Sequence, residues 1–397
     1  MAGVWFAVAC SGAPRPGSSR PASHGGPWRE LTSEHFTIWT DTSEERARVL
    51  VPTMENLRQV VIGVSSFNET KGKIIVVAFD TLDELHEYIP AQFIAYAMSA
   101  SSLVRQPVIV LAGESLDEDR GIVTHELAHV ITYNVIHTQP PWFAEGIAGY
   151  FETVRLDEGR ANLDIGVPNK GHLYVLHHEG ITPTSQLFAC DRYECEDDKF
   201  YATTWALFTY LLEEHPHELM QYIDRLAATP LHGKPPAWAD VVPSLPPETL
   251  DHELAGWLAY GKNRVLKYNI KLRAWPTTER PITEADVWAA KGMLRYLDKG
   301  DSVALPEIDK ALELDPMNVL ANLIEAGRQH DIDPTLARAL TAAHPDDWRA
   351  WWLAWRASQT FTESSKAREK TCSLFAANPV AVPIEECSRP APTGRTP

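Results

Sequence analysis

His125-Glu126-Leu127-Ala128-His129 is the stretch on which the reading of this chain turns. An α-helix advances about 100° per residue, so imidazoles four positions apart stand about 40° apart on one face, one turn above the other. Both can reach a single metal ion. Neutral imidazole suits Zn2+, and a catalytic zinc site takes three protein ligands and leaves the fourth position to water. Glu126 is then placed to take that water's proton as general base.

The flanking residues agree with a helix. Val108-Ile109-Val110-Leu111 reads as a short apolar strand closed by Gly113, and Asp117-Glu118-Asp119 offer a cap and the negative charge that a helix N-terminus favours. Ile122, Val123, Leu127, Val130 and Ile131 keep helical spacing beside the two histidines, which predicts a helix buried on one side and chemical on the other. The third ligand does not follow the metzincin pattern, because Thr132 and Val135 stand where a glycine and a third histidine are needed. Pro140-Pro141 break the first helix, and Trp142 to Glu152 reads as a second one with Pro141 in its first turn. Glu145, in its second turn, completes a His-His-Glu set if a short connection brings the two helices together.

From about Glu34 to about Ala227 the chain resembles the peptidase MA-like, or gluzincin, family of zinc metallopeptidases. The matching residues are the run from His125 to His129, the run Pro141-Trp142-Phe143-Ala144-Glu145-Gly146-Ile147-Ala148, and Phe200 to Phe208 opening a later helix. The resemblance implies zinc on His125, His129 and Glu145, Glu126 as base, and Tyr201 as a hydrogen-bond donor to the tetrahedral intermediate. One position departs from the pattern. Such second helices often carry an acid one turn after the ligand, where it holds a metal-bound histidine by its other nitrogen, and here that position is Gly149. Glu152, two turns after Glu145, is the available substitute.

The 397 residues allow two or three domains. With 36 Lys plus Arg against 53 Asp plus Glu, a net charge of -17 argues against a nucleic-acid or anionic-membrane surface. Gly3 to Ala9 is a short apolar run before Cys10, followed by a Ser-, Gly- and Pro-rich stretch. It looks like the end of a bacterial lipoprotein signal, which implies export and membrane attachment through a lipidated Cys10. Of the five cysteines, four remain to pair; three pairings are open, and the local one, 190 with 195 and 372 with 387, is expected.

The order of elements predicts an α+β, zincin-like fold. Glu34 to Thr40 alternates as a half-buried strand, and Thr42 or Ser43 caps a helix whose stripe is Val49, Leu50, Met54, Leu57, Val60 and Val61. A strand over 73–79, a short helix over 81–88 and the strand over 106–111 follow. In zincin-like folds the strand before the metal helix borders the cleft, which implies that an extended substrate pairs with the free edge of Val108 to Leu111. Residues 156–198 read as irregular, with His172, His177, His178 and Tyr174; the histidines read as ordinary surface groups, an alternative transition-state donor or a fourth metal ligand being the other use of this stretch. Glu248 to Leu272 reads as one helix. Ala311 to Ala321 and Leu340 to Ala350 resemble the turn of a tetratricopeptide repeat, with Pro345 set on Pro316. Two degenerate helical hairpins are expected to pack on the first domain, a protein partner being the other use of such an array.

The expected domains are a lipoprotein-type signal remnant and linker (1–27), a zincin-like peptidase domain (28–228), a Pro-rich connection with a buttressing helix (229–280), a tetratricopeptide-like region (281–388) and a disordered tail (389–397). The function expected is hydrolysis of a peptide or protein substrate by zinc-activated water with Glu126 as base. The rival is a non-catalytic exported binding protein with a vestigial zinc site, and a third reading is a metal-dependent hydrolase of another polarised carbonyl.

Overall fold

The computed structural model describes residues 26–65, 72–91, 93–98, 100–101, 103–113, 120–191, 195, 197–230, 233–261, 263–300, 303–377, 384 and 387. In chain order the first elements are β1 (Arg29–Thr32), β2 (Phe36–Thr40), α1 (Glu44–Ser65), β3 (Ile74–Phe79), α2 (Leu82–Leu85), β4 (Ala95–Met98) and β5 (Val108–Ala112). The helices α3 (Arg120–Tyr133) and α4 (Pro141–Glu152) come next, then the hairpin β6 (Arg155–Asp157) and β7 (Asn162–Ile165). Four helices follow: α5 (Lys170–Glu179), α6 (Thr184–Ala189), α7 (Asp198–Glu214) and α8 (Pro216–Ala227).

One mixed sheet runs β4-β5-β3-β2-β1 and ends in a strand from far along the chain, β9 (Thr278–Pro281). Its centre, β2, β3 and β5, is parallel, and the outer pairs are antiparallel. β3 and β5 are continuous apolar runs because both of their faces are covered: every residue of both is buried. β5 therefore lies inside the sheet, between β3 and β4, and the edge strand beyond it is β4. The expectation of a free edge at Val108 to Leu111 is corrected accordingly.

α1 starts where Ser43 Oγ accepts the Arg46 N–H, and it packs on β2 and α3. Its stripe is core except at Val49, which is half exposed. α3 contacts α1, α4, β4 and β5, so Gly121 to Thr132 are all buried. The helix was expected to be buried on one side and chemical on the other; the chemical side, too, is covered, and both histidines are buried. The cap expected at Asp117 to Asp119 lies outside the described residues.

Residues 156–198 hold β6, β7, α5 and α6 where irregular chain was expected. The helix read over 248–272 is shorter: α9 (Trp238–Val241) precedes α10 (Pro247–Tyr260), which stops at Gly261 in the left-handed conformation, φ 60°. The chain then pairs β8 (Leu266–Asn269) with β7 and β9 with β1. The stretch 229–280 thus contributes strands to both sheets.

The helical region follows as α11 (Glu284–Lys299), α12 (Pro306–Leu314), α13 (Val319–Gln329), α14 (Pro334–Ala343), α15 (Trp348–Ala357) and α16 (Phe361–Ala377). The two turns aligned by Pro316 and Pro345 have the same form, each leading into a capped helix: Asn318 accepts from the Ala321 N–H and Asp347 from the Arg349 N–H. The region continues the core of the first half. Lys291 Nζ stands 5.6 Å from the ring centre of Trp28 and 5.8 Å from that of Tyr88, and Gly327 lies against Leu103. Cys190 pairs with Cys195 and Cys372 with Cys387. Among the described residues no helix is long and apolar enough to cross a membrane, and Cys10 lies outside them.

Candidate metal centre

The histidines of α3 project from one face, their ring centres 4.7 Å apart. Seven residues of connection turn the chain into α4, where Pro141 occupies the first turn and needs no N–H partner, and α4 packs along α3. That packing places Glu145 Oε2 3.4 Å from His125 Nε2 and 3.7 Å from His129 Nε2. Ligands at about 2.0–2.1 Å around a tetrahedral ion stand roughly 3.3 Å apart, so the three side chains are spaced as the faces of one such site require. Ligand atoms of all three lie within 4.8 Å of one another, and all three residues are buried.

The polar groups are costly as they stand. Among the described residues, both ring nitrogens of His129 and Glu145 Oε2 are buried without a hydrogen-bond partner, and each such group costs on the order of 1–3 kcal/mol unless something satisfies it. A cation shared by the three side chains would satisfy Glu145 Oε2 and one of the two His129 nitrogens. Burial, with His125 beside it, pushes the His129 imidazole well below its usual range and so keeps it neutral, the form in which it ligates. Burial pushes the Glu145 carboxyl up, and the nearby His125 opposes the shift.

Glu126 points from the same helix toward β4. It is fully buried, and burial raises its carboxyl to about 8, with His125 opposing and Glu145 adding to the shift. Among the described residues neither oxygen makes a full hydrogen bond, although the Ala97 N–H lies near enough to favour the charged form. A carboxyl held near neutrality, one residue from His125, is suited to accept and return a proton.

Glu152 supplies what Gly149 lacks. Its Oε2 is 3.1 Å from His125 Nδ1, so the ring is held by a carboxylate on the side away from Glu145. Burial opposes the Glu152 charge, but the hydrogen bond and charge of His125, together with His172 and Asn169, hold its carboxyl below the usual range. Asn169 Nδ2 donates to the other oxygen, Oε1, at 3.3 Å. Gly149 has its own reason, since a Cβ there would stand 3.3 Å from Trp205 Cβ on α7.

The structure thus brings His125, Glu126, His129 and Glu145 together. Tyr201 is nearly buried on α7, one turn before Trp205, its ring edge-on to Phe200 at 5.8 Å. His177, His178 and Tyr174 are exposed. His172, read as a surface group, is instead half-buried, 5.7 Å from the Trp205 ring; burial lowers its imidazole while Glu152 opposes. Asn169 was missed altogether. An asparagine ahead of a helical run is a capping signal, but nothing in the spacing links it to Glu152, 17 residues earlier.

Residues 120–232 match the model of a family described as "Protein of unknown function (DUF1570)", a span that takes in every residue of this centre. No curated protein matches the chain.

Proposed function

We propose that the chain is a zinc-dependent metallopeptidase of the gluzincin type, its first domain zincin-like. The supporting observation is the placement of Glu145 Oε2 within 3.4 and 3.7 Å of two histidine nitrogens, with Glu126 beside them. A merely structural ion has no use for a buried, uncompensated Glu126. His125, His129 and Glu145 would hold the metal, and zinc bound there supplies Lewis acidity toward water and a carbonyl oxygen near neutral pH.

Glu126 takes the proton of the attacking water and passes it to the leaving amine. Glu152 fixes the tautomer and orientation of His125 by accepting from Nδ1. The backbone of β4, at the edge of the sheet and next to Glu126 through Ala97, offers pairing to an extended peptide. Tyr201 is the donor we assign to the developing oxyanion, by its position in the family resemblance alone. Export is part of the same proposal: two disulfides suit an oxidising compartment, and lipidation at Cys10 is the anchor.

The rival reading, a binding protein with a vestigial site, leaned on Gly149. Glu152 at 3.1 Å from His125 Nδ1 takes away that support. The test is cleavage of a mixed fluorogenic peptide library by the full chain with and without a zinc chelator. Chelator-sensitive cleavage supports the peptidase; zinc uptake without cleavage moves the weight to the rival or to a non-peptide carbonyl substrate.

A further inference from the structure

We propose that Asn169 is a positioning residue for the metal centre, capping α5 with one side-chain atom and holding Glu152 with the other. Metal affinity and order in the first turn of α5 are thereby coupled. The proposal rests on the metal-site reading above.

Glu152 sits in an unfavourable place. It is the last residue of α4, where the helix dipole presents its negative end and disfavours a carboxylate. Two donors hold it there, His125 Nδ1 on Oε2 at 3.1 Å and Asn169 Nδ2 on Oε1 at 3.3 Å. With only the first of these, the carboxylate is free to turn about its own stem, and the His125 ring loses its fixed support.

Asn169 is fixed in turn by α5. Its Oδ1 accepts the N–H groups of Gly171 at 3.0 Å and His172 at 3.1 Å, two of the donors a helix start leaves over. The amide is planar, so seating Oδ1 on the helix end sets the direction of Nδ2. His172, in that same turn, lies against Trp205, whose Cβ is the atom that meets Gly149. The first turn of α5 is thus anchored on α7 while it steers Glu152.

The residue type is informative. Ser, Asp and Thr cap about as well as Asn, but none of them carries an N–H2 group beside the capping oxygen. Asparagine alone among the good caps does both tasks here. By linkage, whatever Asn169 adds to metal affinity, the metal returns as stability of the turn.

The test uses the full chain and Zn2+ alone. Asn169→Ser keeps a capping oxygen and loses the donor to Glu152. Its metal-free melting is expected to match the parent, while its Zn2+ dissociation constant, by competition with a chelating dye, weakens about five- to tenfold, below the range for losing a direct partner of the ligand. Hydrogen exchange over residues 170–179 is expected to slow on Zn2+ addition in the parent and to respond less in the variant. In a Glu152→Ala background, Asn169→Ser is expected to change the affinity no further. An Asn169→Ser affinity within twofold of the parent, or an undiminished loss in the Glu152→Ala background, overturns the proposal while the metal site stands. A parent that takes up no Zn2+ overturns the metal-site reading and this proposal with it.

Discussion

Gly149 and Trp205 meet so closely that a Cβ on the glycine would stand 3.3 Å from the tryptophan Cβ. The position that carries an acid in the second helices of gluzincins faces the Trp205 side chain here. At Gly146, one turn earlier, the approach is tighter, 2.8 Å to the Thr204 carbonyl oxygen and to Phe208 Cβ. The two glycines let α7 lie close along α4, directly behind the metal centre. Gly149→Asp is therefore expected to fail as a repair: it displaces Trp205, costs about 1–3 kcal/mol of stability, and leaves zinc affinity no higher than the parent's. Gly146→Ala is expected to cost more than Gly149→Ala, because a backbone carbonyl yields less than a side chain. Denaturant unfolding of the three variants checks the stabilities, and a Zn2+ titration of Gly149→Asp checks the affinity.

Removing Glu152 separates support from ligation. Glu152→Ala is expected to fold, since the residue ends its helix, yet to bind zinc about 10–100-fold more weakly. A dissociation constant equal to the parent's removes Glu152 from the centre.

Glu126→Gln draws the complementary distinction. Zinc content is expected to stay at the parent value while turnover falls by about 10²–10⁴-fold, the usual range for a positioned proton carrier. Cleavage at the parental rate shows that some other group moves the proton.

Asp41 gives a pH dependence away from the metal. Burial raises its carboxyl from 3.8 to about 7, Glu84 and Asp80 add to the shift, and the Asp80 N–H, 2.9 Å from Oδ1, opposes it. Between these two values the unfolded chain is ionised and the folded one still protonated. Stability is thus fully present below about 4 and is lost as pH rises toward 7. Asp41→Asn keeps an oxygen for the Asp80 N–H and removes the penalty. It is expected to exceed the parent by on the order of 2–4 kcal/mol at pH 7.5 and to match it near pH 4, in denaturant melts.

The readable part of this protein is the part written in local spacing. His125, His129 and Glu145 declared themselves because helix periodicity and a two-proline break are short-range signals, and the runs of β3 and β5 did so because buried parallel strands are apolar throughout. The strand β4 was not read at all, and its place at the edge is set by pairing across long separations that local spacing does not show. The helix read to Leu272 stops at Gly261, whose left-handed backbone conformation is a local stop signal that the reading passed over. Glu152 was named only as a substitute; what makes it one is a contact with His125 across 27 residues, and Asn169 depends on a further one.

Zinc stoichiometry of the purified chain, beside Glu145→Ala, tests the central claim most directly. One zinc per parent chain, lost or greatly weakened in the variant, is the expected result; a parent without zinc, or a variant that binds it as tightly, contradicts the His125-His129-Glu145 centre.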